Sequence, residues 1–238
     1  MLADAPQFSA QLGSLTGDVQ KPATFRNALI EFIASELPRW RDRSDRPRAT
    51  AETSLTSQLC IHLNGASRHS QGFDILQFSV EGQDETELGR RIDLIAAPCG
   101  ESVTVEGRRH TEFDTLMPIE CKRLPTPKGS RRDEREYVIS RYSAVGGIQR
   151  FKEGKHAAAH TFGAMIGYVQ DGTLAFWDER VKGWIDGLAG VEAGWTPQDT
   201  LHMDQNDSAM RLALLRSAHE RKSGLPAIEL RHLWIEMN

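Results

Sequence analysis

Residues 116–123 read Leu-Met-Pro-Ile-Glu-Cys-Lys-Arg, and this stretch carries more information than any other in the chain. Its apolar and β-forming residues predict a strand. Successive side chains of a strand alternate between its two faces, so Glu120 and Lys122 point one way while Ile119 and Cys121 point into the core. An acid beside an amine on an otherwise apolar strand weakens packing, so the pair indicates chemistry.

A second acid stands one predicted strand earlier. Asp93 lies among the apolar residues of 91–97, and the runs 76–80, 91–97 and 116–123 predict an antiparallel meander. In a meander the last two strands pair, so Asp93 and Glu120 are expected to converge on one ion. Two carboxylates and a backbone carbonyl offer the oxygen ligands that Mg²⁺ prefers, and Mn²⁺ is expected to substitute.

This grouping predicts hydrolysis of a phosphodiester. A bound metal would neutralise the scissile phosphate and lower the pKa of an attacking water. Lys122 would orient or help deprotonate that water, and its ammonium form would offset the charge that develops in the transition state.

Asp93 followed by Glu120-Cys121-Lys122 resembles the PD-(D/E)XK nuclease superfamily, whose fold is called restriction-endonuclease-like. That pattern has an acid on the second strand and (D/E)-x-K on the third, preceded by a helix that often supplies another acid. Glu52, at the start of a predicted helix, looks like that acid and would hold the metal through water. The resemblance implies that Asp93, Glu120 and the carbonyl of Cys121 bind the metal and that Lys122 acts on the water.

In element order the resemblance covers residues 50–170. Ile92 stands where the family's name has proline, and residues 98–115 are interpreted as an inserted hairpin or loop. The resemblance implies an α/β fold with a mixed central sheet flanked by helices. Residues 1–49 would form an N-terminal arm and helix, and residues 50–238 a nuclease domain with a C-terminal helix and strand.

The helix after the third strand often carries a polar residue, commonly glutamine, that borders the site in such nucleases. Gln149 looks like that residue, and Tyr142 lies seven residues earlier, on the same face of a helix predicted over 137–159. A purely structural role for either side chain stays open. The residues expected to contact nucleic acid are Arg123, Lys128, Arg131, Arg132, Arg150 and Tyr142. A second arginine-rich stretch spans 39–48, and binding is expected to be salt-sensitive.

Hydrophobic periodicity predicts the other elements. The predicted helices are 23–37, ended by Pro38, then one capped by Thr50 and ended by Asn64-Gly65, and later 173–188 and 209–219. Further strands are predicted over 164–170 and 227–237. Residues 1–20 are interpreted as a loosely held arm and 190–208 as irregular.

Bulk properties exclude several classes of protein. The 238 residues are 39% hydrophobic and 26% charged, which is typical of a globular domain. No apolar run is long enough to span a membrane, and residues 1–20 lack the features of a secretory signal. The three cysteines indicate a reduced, cytoplasmic protein. The net charge of -4 argues mildly against nonspecific nucleic-acid binding but leaves local basic surfaces possible.

The expected partner is DNA, with RNA left open, together with a homo-oligomer or a partner protein of a larger system. The expected setting is defence against foreign DNA, or repair. One alternative is a noncatalytic nucleic-acid-binding or assembly module on the same fold. Another is a zinc hydrolase using His156 and His160, although Ala157 replaces the usual glutamate and two surface histidines near a helix end are favoured.

Overall fold

The computed structural model describes residues 24–86, 89–100, 102–142, 146–222 and 224–238, so the predicted arm over 1–20 lies outside the described residues. The helices are α1 (Thr24–Arg41), α2 (Glu52–Ser67), α3 (Gly147–Lys152) and α4 (Leu174–Leu188), with a short 3-10 helix at Pro197–Asp199. The strands are β1 (Leu76–Gln83), β2 (Arg91–Pro98), β3 (Val103–Val105), β4 (Arg108–His110), β5 (Met117–Leu124), β6 (Phe162–Val169), β7 (His202–Asp207), β8 (Leu212–His219) and β9 (Ile228–Glu236).

A seven-stranded mixed sheet forms the centre, in the order β1-β2-β5-β6-β9-β8-β7. β1, β2 and β5 form the predicted antiparallel meander, β5, β6 and β9 are parallel, and β9, β8 and β7 are antiparallel. β3 and β4 form a separate hairpin, as predicted for residues 98–115. The α/β class, with a mixed sheet flanked by helices, is therefore confirmed.

The helices cover the two faces of this sheet. In α2 the fully buried side chains Leu55, Leu59 and Leu63 recur every four residues, which gives the helix one apolar stripe. That stripe packs with α1 against the face that carries Ile119, while α3 and α4 pack on the opposite face around Met165. None of the described helices is long and apolar enough to cross a membrane.

The predicted helix boundaries near residue 50 need correction. α1 continues through Pro38 to Arg41, and α2 begins at Glu52 with Ala51, rather than Thr50, as its N-cap. Asn64-Gly65 does not end α2. The Asn64 side chain is used in tertiary contacts instead, donating to the carbonyl of Phe78 (2.8 Å) and accepting from its amide (2.9 Å).

The helix predicted over 137–159 is wrong apart from α3. The chain folds back here, so the amide of Gly147 donates to the carbonyl of Glu136 (2.8 Å). A Cβ atom at Gly146 would lie 2.3 Å from the Cα atom of Ile139, so glycine permits the crossing. Tyr142 therefore precedes α3 and shares no helix face with Gln149.

The helix predicted over 209–219 is also wrong, because Leu212–His219 is strand β8. Its leucine and alanine residues favour a helix locally, but β8 pairs with β7 on one side and β9 on the other. Tertiary pairing overrides local propensity there. Within the supposedly irregular 190–208, residues His202–Asp207 form β7.

Candidate active site

The site lies where β2 and β5 separate. Their pairing involves Leu94–Ala96 of β2 and goes no further along β5 than Ile119. Beyond that point, on the edge of β5 that faces away from β6, carboxylates accept hydrogen bonds from the backbone amides. Asp93 Oδ2 accepts from the amide of Cys121 at 2.9 Å, and Glu52 Oε2 accepts from the next exposed amide, that of Arg123, at 3.1 Å. Two backbone amides of β5 thus hold the carboxylates of Asp93 and Glu52 in place.

The Lys122 ammonium lies at the centre of these oxygen atoms. Its Nζ atom is 2.7 Å from Glu120 Oε1 and 2.9 Å from the carbonyl of Cys121. It is 3.4 Å from both Asp93 Oδ2 and Glu52 Oε1. Carboxylate and carbonyl oxygen atoms from α2, β2 and β5 therefore converge on one cationic nitrogen atom. The structure brings together Glu52, Asp93, Glu120, Lys122 and the Cys121 carbonyl, which the sequence had grouped.

Glu120 is fully buried, and basic side chains on both of its oxygens hold it in place. Arg150 Nη1 binds Oε1 at 2.5 Å, and His156 Nδ1 lies 3.0 Å from Oε2. Burial raises the pKa of Glu120, but Lys122, His156 and Arg150 lower it more, so the pKa is held below its usual range. Arg150, expected to grip phosphate, is thus an internal partner of a site acid.

The pKa values of Asp93 and Lys122 both lie above their usual ranges. Burial and the negative charge of Glu120 raise the pKa of Asp93 to about 6. Burial lowers the pKa of Lys122, but the charges of Glu120, Asp93 and Glu52 raise it more, to above its usual range. Lys122 is therefore an ammonium at neutral pH, and the surroundings of Asp93 disfavour its ionised form.

A small pocket gives access to the site from solvent. Its lining includes Glu52, Asp93 and Glu81, and the side chains of Glu52 and Asp93 are 29% and 28% exposed. Thr56, also in the lining, donates to the carbonyl of Glu52 (2.9 Å) and lies 3.2 Å from the hydroxyl of Tyr168. These contacts fix the first turn of α2. Glu81 lines the pocket as an exposed acid that sequence reasoning missed, because its position at the pocket depends on the pairing of β1 with β2.

Gln149 does not contact the acids through its described hydrogen bonds. Its Oε1 atom accepts from the amide of Ser140 at 3.2 Å, and its Nε2 atom donates to Glu153 at 3.1 Å. The side chain joins α3 to the turn before it, which is the structural role left open above. A catalytic role for Gln149 stays a prediction.

The predicted nucleic-acid contacts fall into two groups. Lys128, Arg131 and Tyr142 are exposed. Arg132 is paired with Glu136 at 2.6 Å, and Arg123 donates to the carbonyl of Thr50 at 2.7 Å. The first group is open to a ligand, and so in part is Arg132, which is 51% exposed, whereas Arg123 is held against Thr50.

The two histidines considered for zinc are not surface residues on a helix. Both are buried, and α3 ends at Lys152, so the spacing of four has no helical meaning. His156 contacts Glu120, whereas His160 Nε2 lies 3.4 Å from Glu85. The contact of His156 with the site was not predicted, because it depends on the loop after α3.

The donor chemistry of the site fits a hard divalent cation. Carboxylate and carbonyl oxygens are the ligands that Mg²⁺ prefers, and four of them already surround one cationic atom. Within the described ranges, no three His, Cys, Asp or Glu side chains are arranged as a metal cluster, and the three carboxylates share Lys122 instead.

Comparison with known proteins gave no relative. No protein-family model matches the chain, no curated protein matches it, and no solved structure matches it.

Proposed function

We propose that this chain is a magnesium-dependent nuclease that hydrolyses phosphodiester bonds in DNA. The observation that carries the proposal is the convergence of Glu52, Asp93, Glu120 and the Cys121 carbonyl on the Lys122 ammonium, within 2.7–3.4 Å. The element order α2, β1, β2, β5, α3, β6 supports a restriction-endonuclease-like fold, with β3 and β4 inserted. Defence against foreign DNA, or repair, is the setting that this class of nuclease suits.

The four oxygen donors would hold the metal, which when bound neutralises phosphate charge and lowers the pKa of a nearby water. Asp93, whose carboxylate is partly exposed, would bind the metal in its ionised form, and the cation would offset the negative charge of Glu120 that disfavours that form. Lys122 stays charged and stabilises negative charge that develops on the phosphate. Arg150 and His156 hold Glu120 in one orientation.

Cleavage assays test the proposal directly. Supercoiled plasmid and linear single- and double-stranded DNA are incubated with Mg²⁺, Mn²⁺ or EDTA. The parent should cut only with metal, and Lys122→Ala should not cut. Lys222→Ala is a matched control, since this half-exposed lysine lies outside the site, and it should cut like the parent. Equal cutting by Lys122→Ala and the parent would contradict the mechanism.

A noncatalytic binding or assembly module is the second candidate. It is favoured by the complete enclosure of Glu120 between Lys122, Arg150 and His156, which resembles a structural ion network. That function predicts DNA or protein binding in EDTA and no cutting by the folded parent with any metal.

A further inference from the structure

A pocket lies beyond the carboxyl ends of β5 and β6, at the sheet edge towards which Lys122 lies. Pro125, just after β5, and Asp171, just after β6, line it from the strands. From α4 it is lined by Phe176, Arg180 and Trp184, and the cavity measures about 420 Å³. At the rise of an extended strand, Pro125 lies about 10 Å along the chain from Lys122. The pocket therefore lies near the Lys122 end of β5, within the reach of a strand of nucleic acid that is longer than one nucleotide.

Phe176, Arg180 and Trp184 form a stripe on α4, because they are spaced four residues apart. The guanidinium of Arg180 lies 5.8 Å from the ring centre of Phe176 and 5.5 Å from that of Trp184. Phe176 is 48% exposed, and Trp184 is only partly buried. The fully buried core contacts of α4 are made by other residues, among them Val181 and Ile185, and Trp184 packs partly against the same core. The stripe thus presents the half-exposed ring of Phe176 and the partly exposed ring of Trp184 at the pocket, with Arg180 between them.

Resting on the proposed function, we infer that this pocket receives an unpaired base of the nucleic-acid strand whose phosphate lies at Lys122. Aromatic rings and guanidinium planes bind bases by stacking, which every base allows. Glu134, paired with Arg180 at 3.0 Å, and Asp171 also line the pocket. Their negative charges oppose entry of a phosphate, so the base enters.

The pocket selects the form of the substrate. A base inside a duplex is paired and stacked, and it must leave the helix before it can enter a pocket of this kind. A single strand has no such cost. The preferred substrate is therefore single-stranded nucleic acid, or a duplex with an unpaired segment next to the cut.

Binding is measured by fluorescence anisotropy with a labelled 12-nucleotide DNA strand, its duplex and the RNA of the same sequence. Parent protein in EDTA, and Lys122→Ala in Mg²⁺, both prevent cleavage during the measurement. Phe176→Ala and Trp184→Leu should each weaken single-strand binding about tenfold, since each removes a stacking face. Trp184→Phe, which keeps a ring, should restore most of the affinity.

Phe113→Ala is the matched control, because Phe113 is 89% exposed and lies outside the pocket lining. It should bind within twofold of the parent, and unfolding curves should show that all variants are folded. Unchanged single-strand binding by folded Phe176→Ala and Trp184→Leu overturns the inference, and so does duplex binding as tight as single-strand binding. Ring-dependent binding without metal-dependent cutting would keep the pocket and reject the nuclease. Cutting without ring dependence would do the reverse.

Discussion

The site around Lys122 and a second buried polar cluster lie on the same face of the sheet, with one strand, β6, between them. Glu120 on β5 and His232 on β9 both pair with Met165 of β6, so the three residues form one row across the strands. His232 lies within a chain of hydrogen bonds in which every group has a partner. At Glu120 begins a cluster in which negative charges crowd around one amine. Two buried clusters on one face of the sheet thus have opposite electrostatic arrangements.

The second cluster runs in one direction. Trp234 can only donate, so its indole bonds to the hydroxyl of Tyr137 (2.7 Å), which donates to His232 Nδ1 (2.8 Å). His232 Nε2 then donates to Ser217 (2.8 Å), which donates to His219 Nε2 (2.7 Å). The chain ends where His219 Nδ1 donates to Asp199 (2.6 Å), which also binds Lys152. Each donor has one acceptor, and both histidines are neutral.

The acids of the two clusters have pKa values that are shifted in opposite directions. In the chain ending at Asp199, burial raises the pKa of that acid, but hydrogen bonds from His219 and Lys152 lower it more, to about 2. In the site, Asp93 is pushed the other way, to about 6. Ionised Asp93 is therefore destabilised by its surroundings, which is common where an acid must bind a cation or exchange a proton. Substitutions should affect activity at one cluster and folding at the other.

The largest expected effect is on cleavage by Asp93→Asn. Removing this charge should slow single-turnover DNA cleavage about a thousandfold, because a charged metal ligand is lost. The asparagine oxygen can still accept from the amide of Cys121, so the variant should fold. Cleavage within tenfold of the parent would remove Asp93 from the site.

Asp199→Ala should have the largest effect on stability. It leaves Lys152 and His219 buried without their acceptor, so the free energy of unfolding should fall by about 3–5 kcal/mol. Urea unfolding measures this loss. Asp199→Asn, which keeps an acceptor, should lose less, and cleavage per folded molecule should match the parent in both. An equal loss in the two variants would contradict the role given to the acceptor.

His156→Ala should affect both properties moderately, since His156 contacts a residue of the site from a structural position. Glu120 loses one buried partner, which should lower the free energy of unfolding by about 1–3 kcal/mol. Cleavage should fall about tenfold as Glu120 loses its fixed orientation. His156→Gln keeps a donor and should recover part of both losses, whereas full activity in His156→Ala would show that His156 does not position Glu120.

The smallest expected effect is a pH dependence of opposite sign at the two clusters. The pKa of Asp93 is raised, so its contribution to stability is present below about pH 4 and lost as the pH rises through about 6. Burial lowers the pKa values of His232 and His219, so their contribution is present above about pH 6.5 and lost as the pH falls.

In EDTA, Asp93→Asn should therefore be more stable relative to the parent at pH 8 than at pH 4, as measured by the difference between their free energies of unfolding. The change should be on the order of 1 kcal/mol, because partial exposure screens the charges. Urea unfolding at several pH values measures it. A difference that does not vary with pH would show that Asp93 is not destabilised when ionised.

Local sequence was sufficient to predict the elements with regular patterns. The alternation along β5 placed Glu120 and Lys122 on one face, and the meander with β2 brought Asp93 to them. The stripe of α2 carried Glu52 to the same place. These predictions succeeded because strand and helix periods are properties of neighbouring residues, and burial of one face follows from them.

Only the tertiary structure decided the rest. β8 has helix-favouring residues but is held as a strand by its two partners, and the chain around Gly146 folds back where periodicity predicted a helix. Arg150 and His156 reach Glu120 from 30 and 36 residues away. A buried charge must find its partners wherever the fold brings them, and sequence separation gives no guide to that choice. The sequence by itself thus determined which acids and which lysine meet, while the tertiary structure determined what surrounds them and hence their charge states.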